Sequence, residues 1–156
     1  MSADRSTIVH ATTVACQGSA VLLRGAPGAG KSDLALRLLT SCQTPILASP
    51  FMLVADDQTV LRRDGSRLVA SPPETLAGLL EVRGVGIVPL PFAAEAVVAL
   101  VVDLSARAEI ERLPEPASTR LLDVLVPLIR LPAFDASSPA KVALALAAVI
   151  GALDTR

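Results

Sequence analysis

The sequence predicts an α/β domain, a mixed sheet flanked by helices, and three observations carry that prediction. Apolar runs at 20–24, 51–55 and 96–104 have the length of buried strands. Helix-forming stretches occupy 33–39 and 140–153, and the first strand-like run enters a glycine-rich loop that opens into the first of them. With 156 residues, 52% hydrophobic and 19% charged, the chain has material for one domain over 1–156 with a sizeable core. No repeat, low-complexity tract or long charge block marks a boundary within it.

Residues 20–24 read as a buried strand that stops at a Gly/Pro cluster, and Leu34, Leu38 and Leu39 fall near helical spacing just beyond. Residues 51–55 read as a second buried strand, halted by Asp56 and Asp57. Residues 59–61 and 67–70 flank Asp64 and Gly65, the turn signal of a hairpin, so the sheet is expected to be mixed. Ser71, followed by Pro72 and Pro73, is expected to cap a short helix that ends near Gly78. Gly84 and Gly86 mark another loop, 96–104 a long strand ended by Asp103, and 140–153 an alanine-rich closing helix.

Composition excludes several classes of function. Fourteen Lys and Arg against fifteen Asp and Glu leave a net charge of −1, without the basic face that nucleic-acid binding needs. Phe51, Phe92 and Phe134 are the only aromatics, too few for a single-strand stacking platform, and they leave the core to aliphatic side chains. Cys16 and Cys42 are too few and too far apart for a disulfide framework or a paired zinc site; they read as free thiols of a reducing compartment. Residues 1–8 lack an apolar signal core, and the longest apolar run, 142–153, falls short of the ~20 residues of a membrane span. The cytoplasm is the expected location, with no membrane partner.

The motif with the sharpest chemistry is Gly25-Ala26-Pro27-Gly28-Ala29-Gly30-Lys31-Ser32, which satisfies G-x-x-x-x-G-K-[ST] between a predicted strand and a predicted helix. Phosphate oxygens need several backbone N–H groups converging on one point, which glycine permits through positive φ and close approach. Lys31 would neutralise the β and γ phosphates of ATP, Ser32 would offer its hydroxyl to Mg²⁺, and the helix that follows would turn its positive dipole end to the phosphates. The chain has only two lysines, and one of them falls at this position.

A carboxylate at the end of a hydrophobic strand beside such a loop serves the metal or the attacking group, and Leu53-Val54-Ala55-Asp56-Asp57 has that form. Side chains of neighbouring extended residues diverge, so one acid would face Mg²⁺ and the other the acceptor hydroxyl, from which it would take the proton.

Four segments then resemble the catalytic C-terminal domain of the bacterial HPr kinase/phosphorylases. They are Ile8-Val9-His10, the loop from Gly25 to Ser32, the stretch ending in Asp56 and Asp57, and Leu80-Glu81-Val82-Arg83-Gly84-Val85-Gly86-Ile87, which is similar to that family's E-I-R-G-x-G-I signature. The resemblance spans roughly residues 7–112. It implies an ATP-dependent kinase that phosphorylates a serine of HPr, the phosphocarrier protein of the sugar phosphotransferase system. It further implies Asp57 as proton acceptor, Lys31 as phosphate ligand, Ser32 and Glu81 as Mg²⁺ ligands, and Asp56 as a nearby acid acting through water. His10 would contact the transferring phosphate or orient the acceptor, and Arg112 would be the late catalytic arginine. Homo-oligomers, as hexamers, are implied by the same resemblance.

The chain departs from that family in two respects. It begins close to where the catalytic domain of longer members begins, so a compact form without an additional N-terminal domain is expected. Residues 131–139, where the family has an arginine-bearing loop, contain no arginine, so weak or absent phosphorolysis is expected. Two other readings compete: a P-loop kinase of a small metabolite, and an ATP-binding regulatory module without turnover. Arg62, Arg63 and Arg67 around the hairpin turn are a candidate patch for acidic groups of a protein acceptor.

Overall fold

The computed structural model describes residues 5–40 and 45–153, so Cys42 lies outside the described residues. In chain order the strands are β1 (Ser6–His10), β2 (Thr12–Cys16), β3 (Ser19–Arg24), β4 (Met52–Ala55), β5 (Gln58–Asp64), β6 (Arg67–Ser71), β7 (Leu79–Val82), β8 (Gly86–Pro89), β9 (Ala96–Leu104), β10 (Ala117–Leu121) and β11 (Val124–Leu131). The helices are α1 (Lys31–Thr40) and α2 (Ser138–Val149), with single 3-10 turns at Glu74–Leu76 and Arg107–Glu109.

Nine strands form one mixed sheet with the path β1-β5-β6-β9-β3-β2-β4, and β11 joins it through β9 with β10 at its side. The long run 96–104 is the hub. One edge of β9 pairs in parallel with β3 along its length; on the other, Ala96 and Val97 meet β6 while residues 101–104 run parallel to β11. Three parallel strands, β3, β9 and β11, therefore end side by side at Arg24, Leu104 and Leu131. β2 runs antiparallel to both β3 and β4, so β4 points the same way as β3 and also ends at this edge. The β7–β8 hairpin stands apart as a two-stranded sheet.

β3 is buried on both faces, which is why its sequence is almost continuously apolar. Both helices cover one face: Leu34, Ala35 and Leu38 of α1 and Val142, Ala143 and Leu146 of α2 pack on Val21, Leu23, Leu100 and Val102. On the opposite face Ala20, Leu22, Val98 and Val101 are closed over by Leu61 and Leu68 of the β5–β6 hairpin and by Val126 of β11. The helices thus flank the sheet from one side, and the sheet's own curl closes the other. Polar groups inside are paired: the Thr13 and Thr59 hydroxyls lie 2.8 Å apart, and Thr59 donates to the Ala11 carbonyl at 2.9 Å.

The β5–β6 turn forms as expected, with Asp64 paired to Arg67 and Gly65 at φ +62°. The helix expected after Ser71 does not form. Ser71 pairs with Val60 as the last residue of β6, and between Pro73 and Gly78 the chain makes only the turn Glu74–Leu76, without a side-chain cap. Extended pairing up to Ser71 and the left-handed Gly78, at φ +75°, leave too little chain for an α-helix. The arginines of this hairpin meet acids of the same chain: Arg62 lies 3.7 Å from Glu95, Arg63 4.0 Å from Asp123 and Arg67 3.2 Å from Asp64. Their charge is matched internally, which weakens the patch anticipated for an acidic acceptor.

Candidate active site

The phosphate-loop motif occupies the turn from β3 into α1, with Lys31 and Ser32 in the first turn of the helix. Gly28 and Gly30 have φ of +81° and +101°, which a side chain would strain. Gly30 is required a second time by close approach: a Cβ there would lie 2.7 Å from the Ala133 Cβ and 2.8 Å from the Phe134 ring. Lys31 is buried, and its ammonium donates to the carbonyls of Gly25 and Ala26 at 2.9 and 3.2 Å, held against the loop it is meant to serve. In α1, Asp33 and Arg37 form an i,i+4 pair at 3.0 Å, and the Arg37 guanidinium also donates to the Ala133 and Asp135 carbonyls, tying the 132–135 loop to the helix.

Asp56 and Asp57 follow β4 at the edge where the parallel strands end. Asp56 accepts three hydrogen bonds, from the Thr12 hydroxyl at 3.0 Å, the Ser32 hydroxyl at 2.7 Å and the Glu81 N–H at 3.0 Å. One carboxylate thereby fixes the start of β2, the start of α1 and the β7 strand relative to one another. Asp57 is not extended, as the simple alternation would have it; it sits at φ +65°, and its N–H donates to Thr12 Oγ1 at 3.1 Å. The turn itself makes the two acids diverge, Asp56 inward to Ser32 and Asp57 outward to His10, whose Nε2 lies 3.0 Å from Asp57 Oδ1.

These groups line a cleft of about 400 Å³, whose lining includes Gly28, Gly30, Lys31, Ser32, Asp56, Glu81 and Arg83, with the exposed Asp57 at its edge. Ser32 donates its proton to Asp56, so its oxygen lone pairs stay available to a hard cation alongside the carboxylates of Asp56 and Glu81. Hydroxyl and carboxylate oxygens suit Mg²⁺. Among the described residues no cluster of three or more His, Cys, Asp and Glu side chains is arranged to hold a metal, so the rest of the shell would fall to water and phosphate, as is usual for this ion.

Of the residues singled out in the sequence, Lys31, Ser32, Asp56, Asp57 and Glu81 converge on the cleft, and His10 touches it through Asp57. Arg112 does not line it; it lies in the segment between the Arg107–Glu109 turn and β10. Asp103, the acid ending β9, is bound by Arg24 through two bonds of 2.7 and 3.0 Å and does not line the cleft either. Three contributors had no assigned role in the sequence. Arg83 sat inside a recognisable signature, Phe134 was one of three aromatics, and Thr12 had no signal at all.

The chain is similar to proteins of known family. A relative from Geobacillus thermodenitrificans named HPr kinase/phosphorylase is 34% identical over 139 residues, which cover 81% of this chain and 42% of the relative. Its namesake from Enterococcus faecalis is 36% identical over 138 residues, with the same coverage of 81% and 42%. The chain thus spans about two fifths of the length of these relatives. The structure of the HPr(Ser) kinase/phosphatase from Coxiella burnetii superimposes with a TM-score of 0.73 at 23% identity, covering 87% of this chain and 86% of that one, and shares the fold. A family model described as the HPr Serine kinase C-terminal domain matches residues 2–152, from before β1 to beyond α2 and with the whole cleft inside it, and to that family the chain belongs.

Proposed function

We propose that the chain is an ATP-dependent, Mg²⁺-requiring kinase that transfers the γ-phosphoryl group of ATP to a serine hydroxyl of HPr. The observation that carries this reading is the placement of Asp57. It is an exposed carboxylate at the edge of the phosphate-loop cleft, turned away from Ser32 and toward open solvent, where a protein side chain can reach it. The names of the relatives, HPr kinase/phosphorylase, support HPr as the acceptor.

The chemistry follows from the arrangement. The acceptor serine approaches Asp57, which takes the hydroxyl proton as the oxygen–phosphorus bond forms. The bond from the γ-phosphorus to the bridging oxygen breaks, and ADP leaves with the electron pair. Lys31 and the N–H groups of the loop stabilise the charge gathering on the phosphates. Mg²⁺, when bound through Ser32, Asp56 and Glu81, supplies further neutralisation of that charge. His10 holds Asp57 in its outward orientation, and Arg83 is the arginine that lines the cleft.

Phosphorolysis of the serine-phosphorylated product is proposed to be weak. The 131–139 segment carries no arginine, and the Arg37 guanidinium that reaches it is engaged with backbone carbonyls and Asp33. Assembly into homo-oligomers, hexamers by family resemblance, and action in the cytoplasm beside its acceptor belong to the same proposal. No helix among the described residues is long and apolar enough to cross a membrane.

The test is transfer of labelled phosphate from ATP to purified HPr, with HPr lacking its acceptor serine as control. Transfer that needs that serine supports the reading. Nucleotide binding without transfer to HPr would point to a regulatory module, and transfer to a small alcohol instead would point to a metabolite kinase. Rapid phosphate-dependent release of pyrophosphate from serine-phosphorylated HPr would overturn the one-way character.

A further inference from the structure

A second cleft, of about 390 Å³, opens on the other side of the phosphate loop, between Ala29, Leu104, Ala106 and Arg107 on one side and Pro132 and Phe134 on the other. It lies just beyond the carboxyl ends of the parallel strands β9 and β11, the edge of a parallel sheet where ligands bind. Its walls are fixed to one another. The Ser105 N–H donates to the Leu131 carbonyl at 3.0 Å, joining the loop after β9 to the end of β11. Arg37 holds the 132–135 loop down on α1, and the missing Cβ of Gly30 lets Phe134 come against the phosphate loop.

Phe134 lines both clefts, yet 68% of it remains exposed. A large ring held over a rigid loop and left open to solvent is a surface waiting for a flat partner. The charges on this cleft are the exposed Arg107 and the half-buried Asp135, 3.6 Å apart, which cancel and leave no field for a second polyphosphate. Aliphatic walls, an aromatic face and a guanidinium at the rim match an uncharged heteroaromatic ring.

We infer that this second cleft receives the nucleobase of the nucleotide whose phosphates occupy the phosphate loop, with Phe134 stacking on the base and Arg107 covering it from the rim. The inference rests on the kinase reading above and adds to it the direction in which the nucleotide lies: across Phe134, away from Asp57 and the acceptor.

Titration of the full chain with ADP and, separately, with inorganic tripolyphosphate tests it, comparing the unaltered protein with Phe134→Ala and Ala106→Phe. The second variant fills the cleft from a residue that does not line the phosphate site. Both substitutions are expected to raise the Kd for ADP about tenfold, and Ala106→Phe, which leaves the lining of the phosphate site intact, is expected to leave tripolyphosphate binding unchanged. Unchanged ADP affinity in both variants would overturn the inference, as would equal weakening of ADP and tripolyphosphate by Ala106→Phe, which would make this wall a mere support of the loop. Binding of neither ligand by the unaltered protein would overturn the kinase reading itself, an outcome distinct from both.

Discussion

The Thr12 hydroxyl donates to the Asp56 carboxylate at 3.0 Å while accepting the Asp57 N–H at 3.1 Å, so one buried side chain sets both acids of the cleft. Thr12→Val keeps the shape and removes both bonds, leaving the Asp57 N–H unsatisfied near the positive φ that aims its carboxylate outward. The expected result is a loss of about 1–3 kcal/mol of stability in urea denaturation, with a fall in phosphoryl transfer larger than the fall in ADP affinity. Thr12→Ser, which keeps the hydroxyl, is expected to restore transfer; equal transfer by the two variants would show that the hydroxyl positions nothing.

Asp57→Asn separates chemistry from binding. Its side chain is more than half exposed and, among the described residues, its carboxylate forms an ion pair with His10 alone, so neither the fold nor the phosphate loop depends on its charge. Transfer to HPr is expected to fall by about 10²–10⁴-fold, the range for loss of a general base, with ADP affinity retained. Asp56→Asn is expected to behave differently, weakening Mg²⁺-dependent nucleotide binding as well, because Asp56 is bonded to Ser32 and to the β7 strand.

Gly30→Ala is expected to disable the cleft for two reasons that act together. The residue sits at φ +101°, and its new methyl would meet Ala133 and Phe134 below 3.0 Å. The 132–135 loop must lift or the phosphate loop must deform, and a cost of about 1–3 kcal/mol is expected for the backbone alone. Tripolyphosphate titration checks it: Gly30→Ala should weaken binding strongly, whereas Gly18→Ala, at a turn with open space and φ +79° and absent from the lining of the cleft, should leave it intact.

Much of this arrangement is legible in the sequence because density of apolar residues and glycine spacing are local signals. β3, β4 and β9 and both helices show in that way. β1 and β10 do not, since both are largely exposed and mostly polar, with little alternation to detect. β11 carries Pro127 in its middle, which argues against a strand until the pairing with β10 and β9 is seen. β2 is fully buried yet opens with two threonines whose hydroxyls find partners more than forty positions away, Asp56, Asp57 and Thr59. The same holds for the site: Lys31, Ser32 and the paired acids follow from a motif and its spacing, while Thr12 and Phe134 acquire their roles through tertiary contact alone.

Leu146 lies where α2 meets α1 and the helix-covered face of the sheet, fully buried. Truncation to alanine leaves a cavity in a cluster made up almost entirely of aliphatic side chains. A loss of about 2–5 kcal/mol is expected, read as a lower urea midpoint at unchanged slope. Leu144→Ala, two residues away on the exposed side of the same helix, serves as the control and is expected to shift the midpoint far less.

Burial of Cys16 sets the sign of a pH dependence of the fold. Burial against the helix-covered core pushes its thiol above the ordinary value of 9.0. Below pH 9 the thiol is neutral in the folded and unfolded chains alike, and its contribution to stability is fully present. As pH rises past that value the unfolded chain loses the proton first, so the unfolded state gains, and the folded state's advantage drains away until the buried thiol ionises too. Stability measured by urea denaturation from pH 8 upward, a range straddling the ordinary value of 9.0, should therefore decline more steeply in a Cys42→Ser protein than in one that also carries Cys16→Ala. The comparison reads the slope rather than the offset, because the lost sulfur also alters packing at every pH. Parallel slopes in the two proteins would mean that Cys16 ionises as readily folded as unfolded, and that the interior between β2 and the Ser49 carbonyl, to which its Sγ donates at 3.2 Å, admits the thiolate.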